Sequence, residues 1–389
     1  MSPSVKTTGV FLSVGTKKGL FLLHSDRNRS KWSFSGPFLP GSEIYHAIID
    51  PRTGTLFALV NDPWFGNRVQ YSKDMGATWQ DSKKSPAFPA SGPAYQPLSG
   101  TSEKESSFGQ ALFKLERIWH IEPGPASQPG IMYCGVAPAA LFRSSDSGVT
   151  WDEIPALTNH PTRAKWGPGA GGMCLHSIIV DPSNPDHISI AISAAGVFST
   201  QDGGKTWDPM NSNLKYILNK FDSKIEKYPQ VGQCVHHLVA AAGRNPRFYA
   251  QTHWGTYRSD DGAKSWIDIT EGLPSDFGML MAAHPRNPDI AYVAPLGGGE
   301  LRCPPEGKLR VYRTSNGGKT WEAQVKGLPQ QNAFMGMYRE GMCMDSLEPA
   351  GVYLGTNTGQ LYSSANEGET WECITASLPP ILSVSASAR

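Results

Sequence analysis

Apolar positions in this chain fall in short runs with β-type alternation, bounded by Gly, Pro, Asp and Asn, and helical periodicity is almost absent. Residues 176–182 (HSIIVDP), 187–193 (HISIAIS) and 196–200 (GVFST) form one series, and 207–210 (WDPM) follow after a polar turn. Four strands per unit predicts a β-propeller blade. The exception is 211–231. There Leu214, Ile217, Leu218, Phe221 and Ile225 recur at helical spacing and predict an amphipathic helix lying over one mouth of the channel.

The polar punctuation is itself a repeat. A Ser/Thr-x-Asp/Asn-x-Gly-x-Thr/Ser-Trp box ends at Trp79, Trp151, Trp207, Trp266, Trp321 and Trp371, and a blurred copy ends at Trp32. The Asp or Asn side chain accepts bonds from backbone N–H groups, a Gly takes the positive φ, and the Trp anchors the turn between neighbouring units. This chemistry is structural, so Asp74, Asp146, Asp202, Asp261 and Asn316 are expected to build turns. Seven boxes predict seven four-stranded antiparallel blades, an all-β chain forming a single propeller over 1–389. The first blade has sequence for only three strands, and residues 381–387 have no partner of their own. They are expected to become the innermost strand of that blade and close the ring, which removes its exposed edges.

The box resembles the Asp-box, or BNR, repeat of sialidases, xyloglucan-cleaving glycosidases, sortilin-type receptors and a photosystem assembly factor. The resemblance covers nearly the whole chain and implies the propeller fold. It leaves function open, because these families share the box and differ in their sites. Sialidases resemble six-bladed propellers with three Arg on the substrate carboxylate, whereas only Arg163 and Arg339 stand out here. The xyloglucan-cleaving enzymes use two propellers and paired Asp.

Composition narrows the partners. With 389 residues, 39% hydrophobic, 41 Gly, 31 Pro and a net charge of +1, the chain can bury a large core and carries no basic stripe. Nucleic acid and membrane are therefore not expected as partners. The first residues lack an apolar signal core, so a cytoplasmic location is expected unless a signal has been trimmed. Six Cys without CxxC spacing are read as reduced thiols. A monomer or simple homo-oligomer is expected.

In blades of this kind the boxes lie on one face, and the starts of the innermost strands lie on the other. His46, His120, His176 and His236 (beside His237) fall near those starts, and His253 falls in a turn on the same face. Imidazoles from neighbouring blades predict a divalent transition metal (Zn, Mn, Fe or Cu), with His236 preferred over His237 because Cys-x-His recurs there and at His176. Tyr338, Arg339 and Glu340 stand across the mouth, beside Met279, as candidates for proton transfer and anion binding. Long insertions at 80–115, 161–173 and 211–231 feed the same face and are expected to act as lids. Asp62, Trp64, Arg163, Trp166 and Trp254 lie on these loops or turns and are candidates for contacting substrate. Three functions fit: a metal-dependent lyase or hydrolase acting on a sugar-like or other small polar molecule, a His-ligated Fe or Cu oxidoreductase, and a non-catalytic binding or assembly propeller.

Overall fold

The computed structural model describes residues 9–88, 114–167, 172–216, 229–243, 247–298 and 301–389. Seven four-stranded antiparallel sheets form the blades of a propeller. From blade 1 to blade 7 the innermost strands are Ile381–Ala388, Glu43–Ile49, Arg117–Pro123, Leu175–Val180, Val235–Ala240, Ala282–Ala283 and Met342–Met344. Most of the insertion at 80–115, the Gly-rich centre of 161–173 and most of the expected lid helix at 211–231 lie outside the described residues. Among the described residues no helix is long and apolar enough to cross a membrane. All six cysteines are free.

The strand Ile381–Ala388 pairs with Val10–Thr16, from Val10 opposite Ala388 to Thr16 opposite Ile381. The first blade therefore takes its inner strand from the other end of the sequence. A second clasp joins this blade to blade 7. Arg29 donates to both carboxylate oxygens of Asp345 at 2.8 and 2.6 Å, and the Tyr353 hydroxyl donates to Asp345 at 2.7 Å. Burial would penalise that carboxyl's charge, but these donors hold its pKa below the usual carboxylate range.

The boxes explain the spacing of the blades. In the third blade Asp146 Oδ1 accepts from Ser144 Oγ and Thr150 N–H, both at 2.8 Å, and Oδ2 accepts from Thr150 Oγ1 at 2.7 Å. This fixes the turn that delivers Trp151, which is fully buried against Phe57 and Leu59 of the preceding blade. Later boxes bond backward too. Trp266 Nε1 donates to Met210 O, Trp321 Nε1 donates to Ile269 O, and the Trp371 backbone N–H donates to Lys326 O. Gly327, at φ +93°, is needed for that last approach, because a Cβ there would lie 1.9 Å from Trp371 O.

Asn316 reproduces the arrangement with an amide. Its Oδ1 accepts from Thr314 Oγ1 and Thr320 N–H, both at 3.0 Å, while its Nδ2 donates to Thr320 Oγ1 at 2.8 Å. Asp146→Asn is therefore expected to be near neutral. Asp146→Ala should cost about 1 kcal/mol, the usual loss for a capping side chain. Denaturant midpoints of the two variants check this, and equal losses would contradict it.

Candidate functional site

One irregularity decides which side chains face the channel. Each His-bearing inner strand slips in register, between Ile44 and Ala47, Ile118 and His120, Leu175 and Ser177, and Val235 and His237. In blades 3, 4 and 5 the extra residue of the bulge is Trp119, His176 and His236. The residue after it is His120, Ser177 and His237, and His46 matches that second set. A bulge re-aims side chains at the rim of a barrel or ring. The histidines therefore do not form one equivalent ring.

His46, His120, His237 and Glu340 form the buried centre. His120 Nδ1 lies 3.1 Å from Glu340 Oε1, and its Nε2 lies 3.7 Å from Glu122. His237 Nε2 stands 3.9 Å from the other Glu340 oxygen. The His46 ring stacks on His120 at 4.5 Å and 17°; its Nδ1 accepts from Ile121 N–H and its Nε2 donates to Ser385 Oγ. Glu340 is fixed from behind, where the Val384 N–H donates to its carbonyl at 2.8 Å.

Burial works against every charge in this cluster, and proximity decides which survive. Desolvation would lower the His120 pKa, but Glu340 and Glu122 overcome it and push it up to about 10. Desolvation would raise the Glu340 pKa, but His120, then His237 and His46, hold it well below the carboxylate range. His46, penalised by burial and by the His120 cation, falls to about 3 and stays neutral. The centre is an imidazolium–carboxylate pair flanked by neutral imidazoles.

The donor atoms of His46, His120 and Glu340 lie within 4.8 Å of one another. An ion held there would have to displace a bond that His46 already makes, to Ile121 N–H or to Ser385 Oγ. Imidazole lone pairs lie in the ring plane, those of stacked rings run side by side, and both nitrogens of His46 are already engaged. His176 is removed from the expected ligand set. It is fully buried, its Nε2 donates to Val235 O at 2.9 Å, and its Nδ1 lies 3.0 Å from Ser177 Oγ, which in turn accepts from Leu238 N–H. It stitches blade 4 to blade 5. His236 and His253 lie elsewhere, beside Cys234, with ring centroids 5.3 Å apart. Of the neighbouring pair, the bulge turns His237 toward Glu340, while His236 joins Cys234 and His253.

Above Glu340 opens a cavity of about 390 Å³, lined among others by Tyr45, Arg117, Trp119, Arg302, Tyr338 and Arg339. Glu116 and Met279 also line it. Arg117 lies over the rings of Tyr45 and Trp119 at 4.6 and 5.5 Å. Arg339 is the unusual member. It is buried, its Nη2 donates to Ser193 Oγ at 3.0 Å, its Nε has no acceptor, and its guanidinium stands 5.7 Å from the Trp119 ring. Among the described residues no carboxylate forms an ion pair with it; its neighbour Glu340 bonds His120 instead.

None of the five residues expected to contact substrate lines this cavity. Arg163 donates to Ala139 O at 2.6 Å and lies over Trp166, which is buried in the core between blades 3 and 4. Asp62 accepts from the Trp64 and Phe65 N–H groups and shapes a turn, leaving Trp64 and Phe65 88% and 83% exposed at its tip. Trp254 packs beside His253. Arg117, Trp119, Tyr45 and Arg302 were missed. The signal for two of them was local: they precede His120 as Arg-Ile-Trp-His, where a bulge puts Trp119 toward the mouth.

No family model matches the chain. It is 24% identical over 237 residues to a probable oligoxyloglucan-reducing end-specific xyloglucanase of Neosartorya fischeri, covering 54% of this chain and 27% of that protein. It is 30% identical over 144 residues to the photosystem II assembly lipoprotein Ycf48 of a Nostoc species, covering 37% of this chain and 34% of that protein. The chain thus spans about a third or less of the curated relatives it matches. Among solved structures, the GH74 enzyme of Niastella koreensis superimposes with a TM-score of 0.59 at 16% identity, over 94% of this chain and 55% of that one. Ycf48 from Cyanidioschyzon merolae superimposes with a TM-score of 0.51 at 12% identity, over 85% and 84%. These likenesses establish the seven-bladed propeller fold.

Proposed function

We propose that the cavity above Glu340 takes a small sugar-like molecule carrying an anionic group, and that the protein is a hydrolase or lyase acting on it. Arg339 carries this reading. A buried guanidinium with one hydroxyl acceptor and an aromatic face is costly unless an anion completes it, and a carboxylate offers a bidentate partner. Arg117 and Arg302, also in the cavity wall, add positive potential. Tyr45 and Trp119 supply aromatic faces of the kind on which sugars stack.

The chemistry would fall to the floor of the cavity. Glu340, held ionised by His120, is suited to stabilising positive charge that develops at a glycosidic carbon, and a carboxylate so depressed is a weak base. Glu116 places a second carboxyl group in the same cavity, as acid-assisted cleavage of a glycosidic bond requires. The similarity to xyloglucan-cleaving enzymes supports a carbohydrate, while the three Arg favour an acidic one.

Calorimetric titration with hexuronate-containing and neutral oligosaccharides is expected to show binding of the acidic ones alone. Arg339→Gln should weaken that binding at least tenfold, in line with a lost charge-assisted pair. Equal affinity for neutral sugars, or unchanged affinity in the variant, would overturn the reading. A non-catalytic binding propeller is the second reading, supported by the exposed Trp64–Phe65 tip and the Ycf48 similarity. It predicts no product from any oligosaccharide and loss of partner capture in a Trp64→Ser, Phe65→Ser double variant.

A further inference from the structure

Outside the central cluster, one group of side chains is arranged as ligands to an ion, and it unites His236 and His253 with a cysteine that the sequence pattern left out. We propose that Cys234, His236 and His253 form a binding site for a thiophilic divalent cation, of which Zn²⁺ is the natural probe.

The first argument is the tautomer. His236 Nδ1 donates to the carbonyl of Gly278 at 2.5 Å, which leaves Nε2 bare. A ring so held, with one nitrogen donating to a backbone carbonyl and the other lone pair free for a ligand, is the usual support for a metal-binding His. That lone pair points at Cys234 Sγ, 3.4 Å away. In the ion-free protein the thiol proton fills this gap as an S–H···N bond. A tetrahedral zinc holding one sulfur at about 2.3 Å and one nitrogen at about 2.0 Å sets them about 3.5 Å apart. The ligand separation therefore exists before the ion arrives.

The third donor comes from the turn between the second and third strands of the same blade. The His253 N–H donates to Cys234 O at 2.9 Å, and this bond locks the two residues side by side. The three donor atoms lie within 4.8 Å of one another. Unlike His46 and His120, the rings of His236 and His253 cross at 68°, so in-plane lone pairs can meet at one point. Phe277 closes one side, edge-on to both rings at 5.3 and 4.9 Å, and lowers the local dielectric. His236 is buried, while Cys234 and His253 are half-buried, which leaves a path for the ion.

One thiolate with two imidazoles and no carboxylate suits zinc rather than magnesium or calcium. Three protein ligands leave a fourth position for water or an exogenous group, the pattern of catalytic rather than structural zinc. The assignment stands independently of the substrate proposed above.

The test is metal binding by the full chain. Dialysis against Zn²⁺ followed by elemental analysis is expected to leave one equivalent per chain. Cys234→Ser and His253→Gln should each weaken binding at least tenfold, with the circular dichroism spectrum retained. Co²⁺ substitution of the unmodified protein should give a thiolate-to-cobalt charge-transfer band and the intense visible bands of a tetrahedral site. That spectrum decides the matter even where a variant fails to fold. Glu340→Gln should retain the equivalent. Absence of the thiolate band, full zinc retention in Cys234→Ser, or loss of zinc in Glu340→Gln with its fold intact would each overturn the site.

Discussion

A chain ending at residue 380 is expected to lose its cooperative folded state. The strand it lacks buries Ile381, Leu382 and Val384 almost completely. At roughly 1.5 to 3 kcal/mol for each buried side chain, the loss is about 5 to 9 kcal/mol. That is comparable to the whole margin of a typical protein. The deletion also bares the inner edge of Val10–Thr16, a strand otherwise paired on both sides, and such an edge templates aggregation. It strips Ser385 from His46 and the Val384 N–H from Glu340, so the central cluster would be lost with the ring. Soluble yield, circular dichroism and a urea transition measure the effect. A truncated chain that unfolds cooperatively at the parent's midpoint would mean that this strand does not close the propeller.

Glu340→Gln is expected to lower stability by about 3 to 5 kcal/mol near neutral pH, because it leaves the His120 imidazolium buried without its anion. Its signature lies in the pH profile. His120 has its pKa raised from 6.5 to about 10, so its contribution is complete below pH 6.5 and is lost as pH climbs toward 10. Glu340 acts oppositely; its depressed pKa gives a contribution present above about 4.5 and lost as acid titrates it. Below pH 6.5, His46, His176, His236 and His237 all resist protons that the unfolded chain accepts, and stability falls. The parent protein should therefore be most stable near pH 6.5. Its alkaline limb should fall by up to about 1.4 kcal/mol per pH unit for one proton. Replacing Glu340 removes the larger cause of the raised His120 pKa and leaves only Glu122, so that limb should become shallower. Urea midpoints from pH 5 to 10 check this, and an unchanged alkaline limb in the variant would refute the His120–Glu340 pairing.

The expectations that hold and those that fail differ in range. Turn chemistry is local: Ser144, Asp146 and Thr150 lie within one short segment, so the box could be read as a turn and counted into blades. The partnerless run at 381–387 pointed to ring closure by elimination, and the pairing with Val10–Thr16 matches it. The histidines fail as a set because a single extra residue in a strand exchanges channel-facing and core-facing positions, and nothing in Cys-x-His marks which side of the bulge a residue takes. His176 satisfies both its nitrogens within the core, while His237, set aside in favour of its neighbour, faces Glu340. Tyr338, Arg339 and Glu340 do line the mouth, where they lead into the inner strand Met342–Met344.

What the sequence by itself determined is the repeat, the number of blades and the way the ring closes, because each follows from hydrogen bonds and burial within a unit or between adjacent units. What only the tertiary structure decided is the chemistry at the mouth. Arg117, Arg302 and Arg339 come from three separate blades, and His120 and Glu340 lie 220 positions apart. Curving seven sheets about one axis brings such residues together, and the small register shifts at the inner strands then choose which of them meet.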